Sequence, residues 1–151
     1  PMKQHRVSLE TRKILLTELV NSIQKPRLEL VQELSSPWAI VTLKRAMKRW
    51  PNQELIFVIG SDLTSHIPNW VQAKDILQKA RIGIAPREGW PVDQHQLAVI
   101  KSLGGEIDLL PLNIPNTSSS HARMMFETAQ IPTSVLSILR KRNLYGLNDV
   151  S

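Results

Sequence analysis

Four groups of residues in this 151-residue chain have the types and spacing to do chemistry. Gly60-Ser61-Asp62 closes the apolar run Leu55-Ile-Phe-Val-Ile59. A glycine there lets backbone approach a ligand closely, and a carboxylate two residues on can accept hydrogen bonds from a ribose diol. The same three residues also read as a plain turn with an aspartate cap. Asn116-Thr-Ser-Ser-Ser-His-Ala-Arg123 sets Ser118 and Ser120 at the start of a helical pattern with Arg123 in the following turn. Hydroxyls, free N–H groups and a guanidinium in that arrangement suit a phosphate; the alternative is an ordinary serine cap beside a surface arginine. Trp70, in Ile67-Pro68-Asn69-Trp70, follows the Asp62 loop and offers an indole to a flat ring, or to the core. Arg87, in Pro86-Arg-Glu-Gly89, follows a second strand-like run and has the reach for a phosphate, against the commoner role of a solvated loop cation.

Other chemistries lack residues. With no cysteine there is no thiolate nucleophile, disulfide or thiolate metal site. His5, His66, His95 and His121 show no HxxxH, HxH or carboxylate-spaced pattern, so no protein-held metal is expected. Neither a GxSxG elbow nor a Walker A loop is present.

The elements that must position these residues follow from period and punctuation. Ser8 caps an amphipathic helix running to about Lys25, before Pro26. Arg27–Glu33 alternates like a half-buried strand, and Trp38–Trp50 has helical spacing with Lys44, Arg45, Lys48 and Arg49 opposite the apolar residues. Leu55–Ile59 reads as a central parallel strand buried on both faces. A helix over Asn69–Ala80, a strand over Arg81–Ala85, a helix over Val92–Leu103 and a strand over Glu106–Leu112 follow. Helices over Ala122–Ala129 and Thr133–Arg142 close the chain. Alternating strands and helices imply an α/β fold, a mostly parallel Rossmann-like sheet with helices on both faces. Ligands of such sheets bind beyond the C-terminal strand ends, where Gly60–Asp62, Pro86–Gly89 and Asn113–Ser120 fall.

Composition bounds the partners. A 42% hydrophobic, 21% charged chain of this length is one domain with a real core, and no apolar run approaches the ~20 residues that span a bilayer. The basic N-terminus lacks an export signal's apolar core, which leaves the cytoplasm as the expected compartment. Nineteen basic against thirteen acidic residues, net +6, suit a polyanionic partner. The stripe on Trp38–Trp50 has no interleaved aromatics to stack bases, so nucleic acid is disfavoured and a solvated helix face expected. Arg140, Lys141 and Arg142 fit the last turn of a helix, where cations complement the dipole.

Taken in order, Phe57-Val-Ile-Gly-Ser-Asp62, Ile67-Pro-Asn-Trp70, Ala85-Pro-Arg-Glu-Gly-Trp-Pro91, Asn116–Arg123 and Ile131-Pro132 through Tyr145 resemble the nicotinate mononucleotide adenylyltransferases of NAD synthesis. These belong to the nucleotidyltransferase α/β-phosphodiesterase group. The resemblance covers nearly the whole chain, and the motifs look like the family's GxD loop, Pro-x-Trp segment, R-x-G-[YW]-P loop and I-S-x-T-x-x-R signature. It implies transfer of AMP from ATP to nicotinate mononucleotide, or to nicotinamide mononucleotide, with release of pyrophosphate. The mononucleotide's phosphate would attack in line, with no covalent enzyme intermediate and with Mg²⁺ carried by ATP. By position, Gly60 and Asp62 would hold the adenosine ribose, Ser118, Ser120 and Arg123 the ATP phosphates, with Arg123 catalytic, and Trp70 and Arg87 the pyridine mononucleotide.

Three departures accompany the resemblance. The family's G-x-F-x-P-x-H-x-G-H motif is absent, so residues 1–151 look like the C-terminal three quarters of a single nucleotidyltransferase-like domain, with a first unit on the order of 40 residues missing. Ser36-Pro-Trp-Ala39 stands where a P-S-Y-T is usual, which leaves nicotinate versus nicotinamide preference open. Thr117 and Ser120 replace the signature's Ile and Thr. A non-catalytic nucleotide-binding or interaction module derived from the family is the alternative.

Overall fold

Three short parallel strands carry the architecture of a computed structural model that describes residues 7–115 and 131–147. The chain divides into two compact units, one of Pro1–Gln32 with Thr117–Ser151 and one of Glu33–Asn116. In the first unit, α1 (Leu9–Ile23) starts where the sequence predicts, the Ser8 hydroxyl accepting from the Thr11 N–H at 3.1 Å. It packs against the closing helix, α5 (Thr133–Lys141), whose Leu139 is buried and whose last turn carries Arg140 and Lys141. Gln24 leaves α1 in a left-handed conformation. The strand expected over Arg27–Glu33 does not form: the segment is a turn and irregular backbone ending in a 3-10 turn, Gln32–Leu34. Its alternation finds no strand to pair with among the described residues, and Leu28 is exposed.

The second unit orders its strands β1 (Ile56–Gly60), β2 (Arg81–Ala85) and β3 (Ile107–Leu109), all parallel. Phe57 pairs with Ile82 and Ile59 with Ile84, so these four side chains share one face. There Ile59, Ile82 and Ile84 meet Ile67, Leu77 of α3 (Ala73–Lys79), and Leu97 and Ile100 of α4 (Gln94–Ser102). Burying a side chain of this size removes roughly 1.5–3 kcal/mol worth of apolar surface from water, which makes this cluster the anchor of the sheet. A second cluster joins Ile40 and Leu43 of α2 (Ala39–Arg49) to Ile76 of α3 and to Ala80, which caps its end.

Several expectations change here. Among the described residues β1 pairs with β2 alone, and Ile56 and Val58 on its other face are 51% and 58% exposed, so the strand expected to be buried on both faces is covered on one. Continuous apolarity reports hydrophobicity but not position in the sheet. The helix expected over Asn69–Ala80 starts late: Ser61–Asn69 is a 3-10 stretch containing Pro68, and Gln72 adopts a left-handed φ of 56° before α3 begins at Ala73. Trp70 therefore closes the 3-10 stretch and does not open a helix. β3 is shorter than Glu106–Leu112, and the helix expected over Ala122–Ala129 lies outside the described residues. The basic stripe of α2 is half committed: Arg45 Nη1 donates to the carbonyls of Ser35 at 2.7 Å and Glu33 at 3.2 Å, while Arg49 pairs with the Glu33 carboxylate at 3.0 Å and lies over the Trp50 ring.

Candidate functional site

Parallel pairing puts Gly60 directly beside Ala85, so the backbone leaves β1 and β2 at the same end of the sheet. The chain after β3 returns there too: the Ile114 N–H donates to Pro86 O at 2.7 Å, the Glu88 N–H donates to Ile114 O at 2.8 Å, and Ile114 bridges Arg87. Three loops thus converge at the C-terminal strand ends, where α/β sheets place ligands.

Gly60 leaves room for the carboxylate that follows it. A Cβ at position 60 would overlap Asp62 Oδ1, so glycine lets this side chain fold back over its own strand end. On the other side, Arg87 Nη1 donates to Asp62 Oδ2 at 2.8 Å, with the two side chains 19% and 24% exposed respectively. Ser61, between Gly60 and Asp62 in sequence, is buried and points across to the second loop. Its hydroxyl donates to Trp90 O at 2.6 Å and accepts from the Arg87 N–H at 3.0 Å. Below it, buried Thr64 donates to Ser61 O at 2.8 Å and contacts Gln96 Oε1 of α4. Gly89 takes a φ of 79°, turning the loop so that the Trp90 N–H reaches Arg87 O at 3.0 Å.

Trp70 is half-buried, packed against both apolar clusters and edge-on to Phe57 with ring centroids 5.8 Å apart. Its core role and any ligand role share one ring, the packed part fixing the orientation of the rest. Trp90, on the loop with Arg87, is 52% exposed.

The structure thus brings Gly60, Asp62 and Arg87 together, with Trp70 a few residues beyond Asp62 at the end of the same 3-10 stretch. Ser118, Ser120 and Arg123, the expected phosphate ligands, lie outside the described residues. Ser61 had no role in the sequence reading: as the middle residue of a GxD turn its one signal is a small hydroxyl side chain, and its partners are 26 and 29 positions away. Among the described residues no three His, Asp or Glu gather to hold a metal ion, and no helix is long and apolar enough to cross a membrane.

No family model matches the chain. A Synechocystis protein described as a probable nicotinate-nucleotide adenylyltransferase is 31% identical over 153 residues, covering 96% of this chain and 76% of that protein. A Shewanella protein of the same description is 26% identical, and there the matched part is 62% of the relative, under two thirds of its length. Among solved structures, Plasmodium falciparum nicotinic acid mononucleotide adenylyltransferase complexed with APC superposes with a TM-score of 0.70 at 21% identity, covering 94% of this chain and 78% of that one. The same enzyme complexed with NaAD gives 0.70, with 96% of this chain covered. The described sheet and helices are therefore those of a Rossmann-like α/β fold.

Proposed function

Because this chain belongs to the nicotinate-nucleotide adenylyltransferase family, we propose that it serves adenylyl transfer from ATP to nicotinate mononucleotide in NAD biosynthesis. The observation that supports this most directly is the convergence of three loops on the Asp62–Arg87 pair at the C-terminal end of the sheet. In this reading Asp62 accepts from the adenosine ribose hydroxyls, Gly60 lets the ribose approach the strand end, and Trp70 offers its uncovered portion to the pyridine ring. Arg87 belongs to the same mouth. Ser118 and Ser120 take the ATP phosphates and Arg123 stabilises the charge that builds on the α-phosphate under attack and on the pyrophosphate that leaves. Residues 1–151 act as parts of one nucleotidyltransferase-like domain, in a cytoplasmic setting.

A Mg²⁺ ion enters this reading with ATP and supplies charge neutralisation at the phosphates. Asp62 does not suit a divalent cation, since a guanidinium already holds its Oδ2 at 2.8 Å. The protein's own work is positioning: two substrates held with the mononucleotide phosphate in line converts a bimolecular attack into an intramolecular one.

The test is pyrophosphate release from ATP and Mg²⁺ with either nicotinate or nicotinamide mononucleotide. It is run on this chain and on a fusion carrying the histidine-bearing unit of a relative. ATP binding by the chain, with turnover in at least the fusion and a preference for the nicotinate form, supports the proposal. ATP binding without turnover in either form moves the reading to a non-catalytic nucleotide-binding module. No ATP binding in either form overturns it.

A further inference from the structure

The family resemblance implies a mononucleotide role for Arg87, yet in the structure its guanidinium is turned onto Asp62. Both side chains are largely withdrawn from water, at 19% and 24% exposed, so the bond between them is a charge-assisted one with reduced screening. Each member is also held independently. The backbone of Arg87 is tied by its N–H to the buried Ser61 hydroxyl at 3.0 Å and by a bridge to Ile114. The Ser61 hydroxyl in turn donates to Trp90 O, on the far side of the Gly89 turn, so both arms of the Arg87 loop hang from one side chain. Asp62 Oδ1 meanwhile occupies the space that any side chain at position 60 would claim. The carboxylate is thus pinned through one oxygen by Arg87 and accommodated at the other by the bare backbone of Gly60.

We propose that Arg87 is a positioning residue that acts through Asp62, holding its carboxylate in the orientation that accepts the ATP ribose, with Ser61 as the clamp that delivers Arg87 there. The inference rests on the assignment of Asp62 to the ribose and moves Arg87 from the second substrate to the first. A diol is read by two acceptor oxygens in fixed directions, and a short carboxylate side chain released from its guanidinium spends time in other rotamers that present neither correctly. Pre-organisation of this kind appears in affinity for the ligand that uses it and not in affinity for its neighbour.

The experiment is calorimetric titration of the full chain with Mg·ATP and, separately, with nicotinate mononucleotide, for the wild type, Arg87→Gln, Arg87→Lys, Asp62→Asn and the Asp62→Asn/Arg87→Gln double variant. Arg87→Gln is expected to weaken ATP about tenfold and to leave the mononucleotide within about twofold, with partial recovery in Arg87→Lys. The double variant is expected to bind ATP no more weakly than Asp62→Asn alone, because the effect of Arg87 runs through that carboxylate. A loss confined to the mononucleotide, or losses that add in the double variant, overturns the proposal. A second readout separates this idea from the functional reading beneath it. In ¹⁵N spectra the Arg87 guanidinium signals should be resolved in the wild type and collapse in both Asp62→Asn and Ser61→Ala. If the wild type binds neither ligand while those signals respond, adenylyl transfer fails as the function and the pinning stands; signals indifferent to both substitutions overturn the pinning itself.

Discussion

Arg81 and Arg87 stand at opposite ends of the β2 region, each facing carboxylates, and they are built differently. At the N-terminal end Arg81 pairs with Glu54 at 3.1 Å, with Glu106 at 3.6 Å and with Asp108, but its own side chain is 37% exposed and Glu54 and Glu106 are 67% and 76% exposed. This end also borders a shallow cleft of about 420 Å³ lined by Glu54, Lys79, Arg81 and Glu106 among others. The hydrogen bond to Glu54, followed by that to Asp108, raises the Arg81 pKa above the ordinary guanidinium value. At the C-terminal end Asp62 meets Arg87, both largely covered, with a buried hydroxyl fixing the backbone that carries the cation. The first arrangement is a solvated ion cluster that salt screens readily; the second is a constructed geometry. Charge near a strand end therefore comes in two forms, told apart by the burial and hydrogen bonding behind it.

The largest effect expected from pulling these ends apart is on stability at the Arg81 end. A Cβ at Gly105, just before β3, would meet Ile100 Cγ2 at 2.8 Å, Leu77 Cδ2 at 2.9 Å and the Ile100 carbonyl at 3.0 Å. Gly105→Ala should cost about 3 kcal/mol in denaturant unfolding while leaving the ATP affinity of the folded protein unchanged. Gly60→Ala should do the reverse, because the atom it displaces is the tip of the Asp62 side chain and not backbone. Its expected signature is ATP bound about tenfold more weakly with unfolding within about 0.5 kcal/mol of wild type. Intact ATP affinity in Gly60→Ala would sink the assignment of Asp62.

Ser61→Ala removes one hydroxyl that serves two partners and should cost about 1.5 kcal/mol of stability, with a weaker but measurable loss of ATP affinity; a stability loss with no change in binding would reduce Ser61 to a structural tie. Arg81→Gln is the smallest. Because its folded pKa is raised, any stabilisation it provides is present below the unfolded pKa and is lost only as pH rises through the folded one, in a window above the ordinary guanidinium value. Between about pH 5 and pH 9 the wild type and Arg81→Gln curves of unfolding stability against pH should run parallel. A divergence there would show that the cluster does more than decorate the strand end.

Local signals were readable in the sequence wherever neighbours in the chain decide the structure. The bounds of β2 match the predicted Arg81–Ala85, Ser8 caps α1, and α2 lies within Trp38–Trp50. The reading failed where a local pattern needs a distant partner. Alternation over Arg27–Glu33 is no strand without an edge to join, and the apolar run of β1 carried no information about which of its faces is covered. Gly60, Asp62 and Arg87 were singled out by residue type and place, and the structure sets them side by side, but the direction of the Arg87 guanidinium and the contacts of Ser61 were not legible.

By itself the sequence determined the α/β alternation, the strand ends at which the loops emerge and the family, because periodicity, caps and ordered motifs are properties of adjacent residues. Only the tertiary structure decided that β1 and β2 are neighbours in register, and with that everything that followed at the site. Pairing Gly60 with Ala85 brings Asp62 within hydrogen-bonding distance of a residue 25 positions away, and the buried Ser61 hydroxyl finds its two partners across the same gap. Strand register is a cooperative choice of the whole core, and the charge pair it creates depends on distances and burial that no run of neighbouring residues encodes.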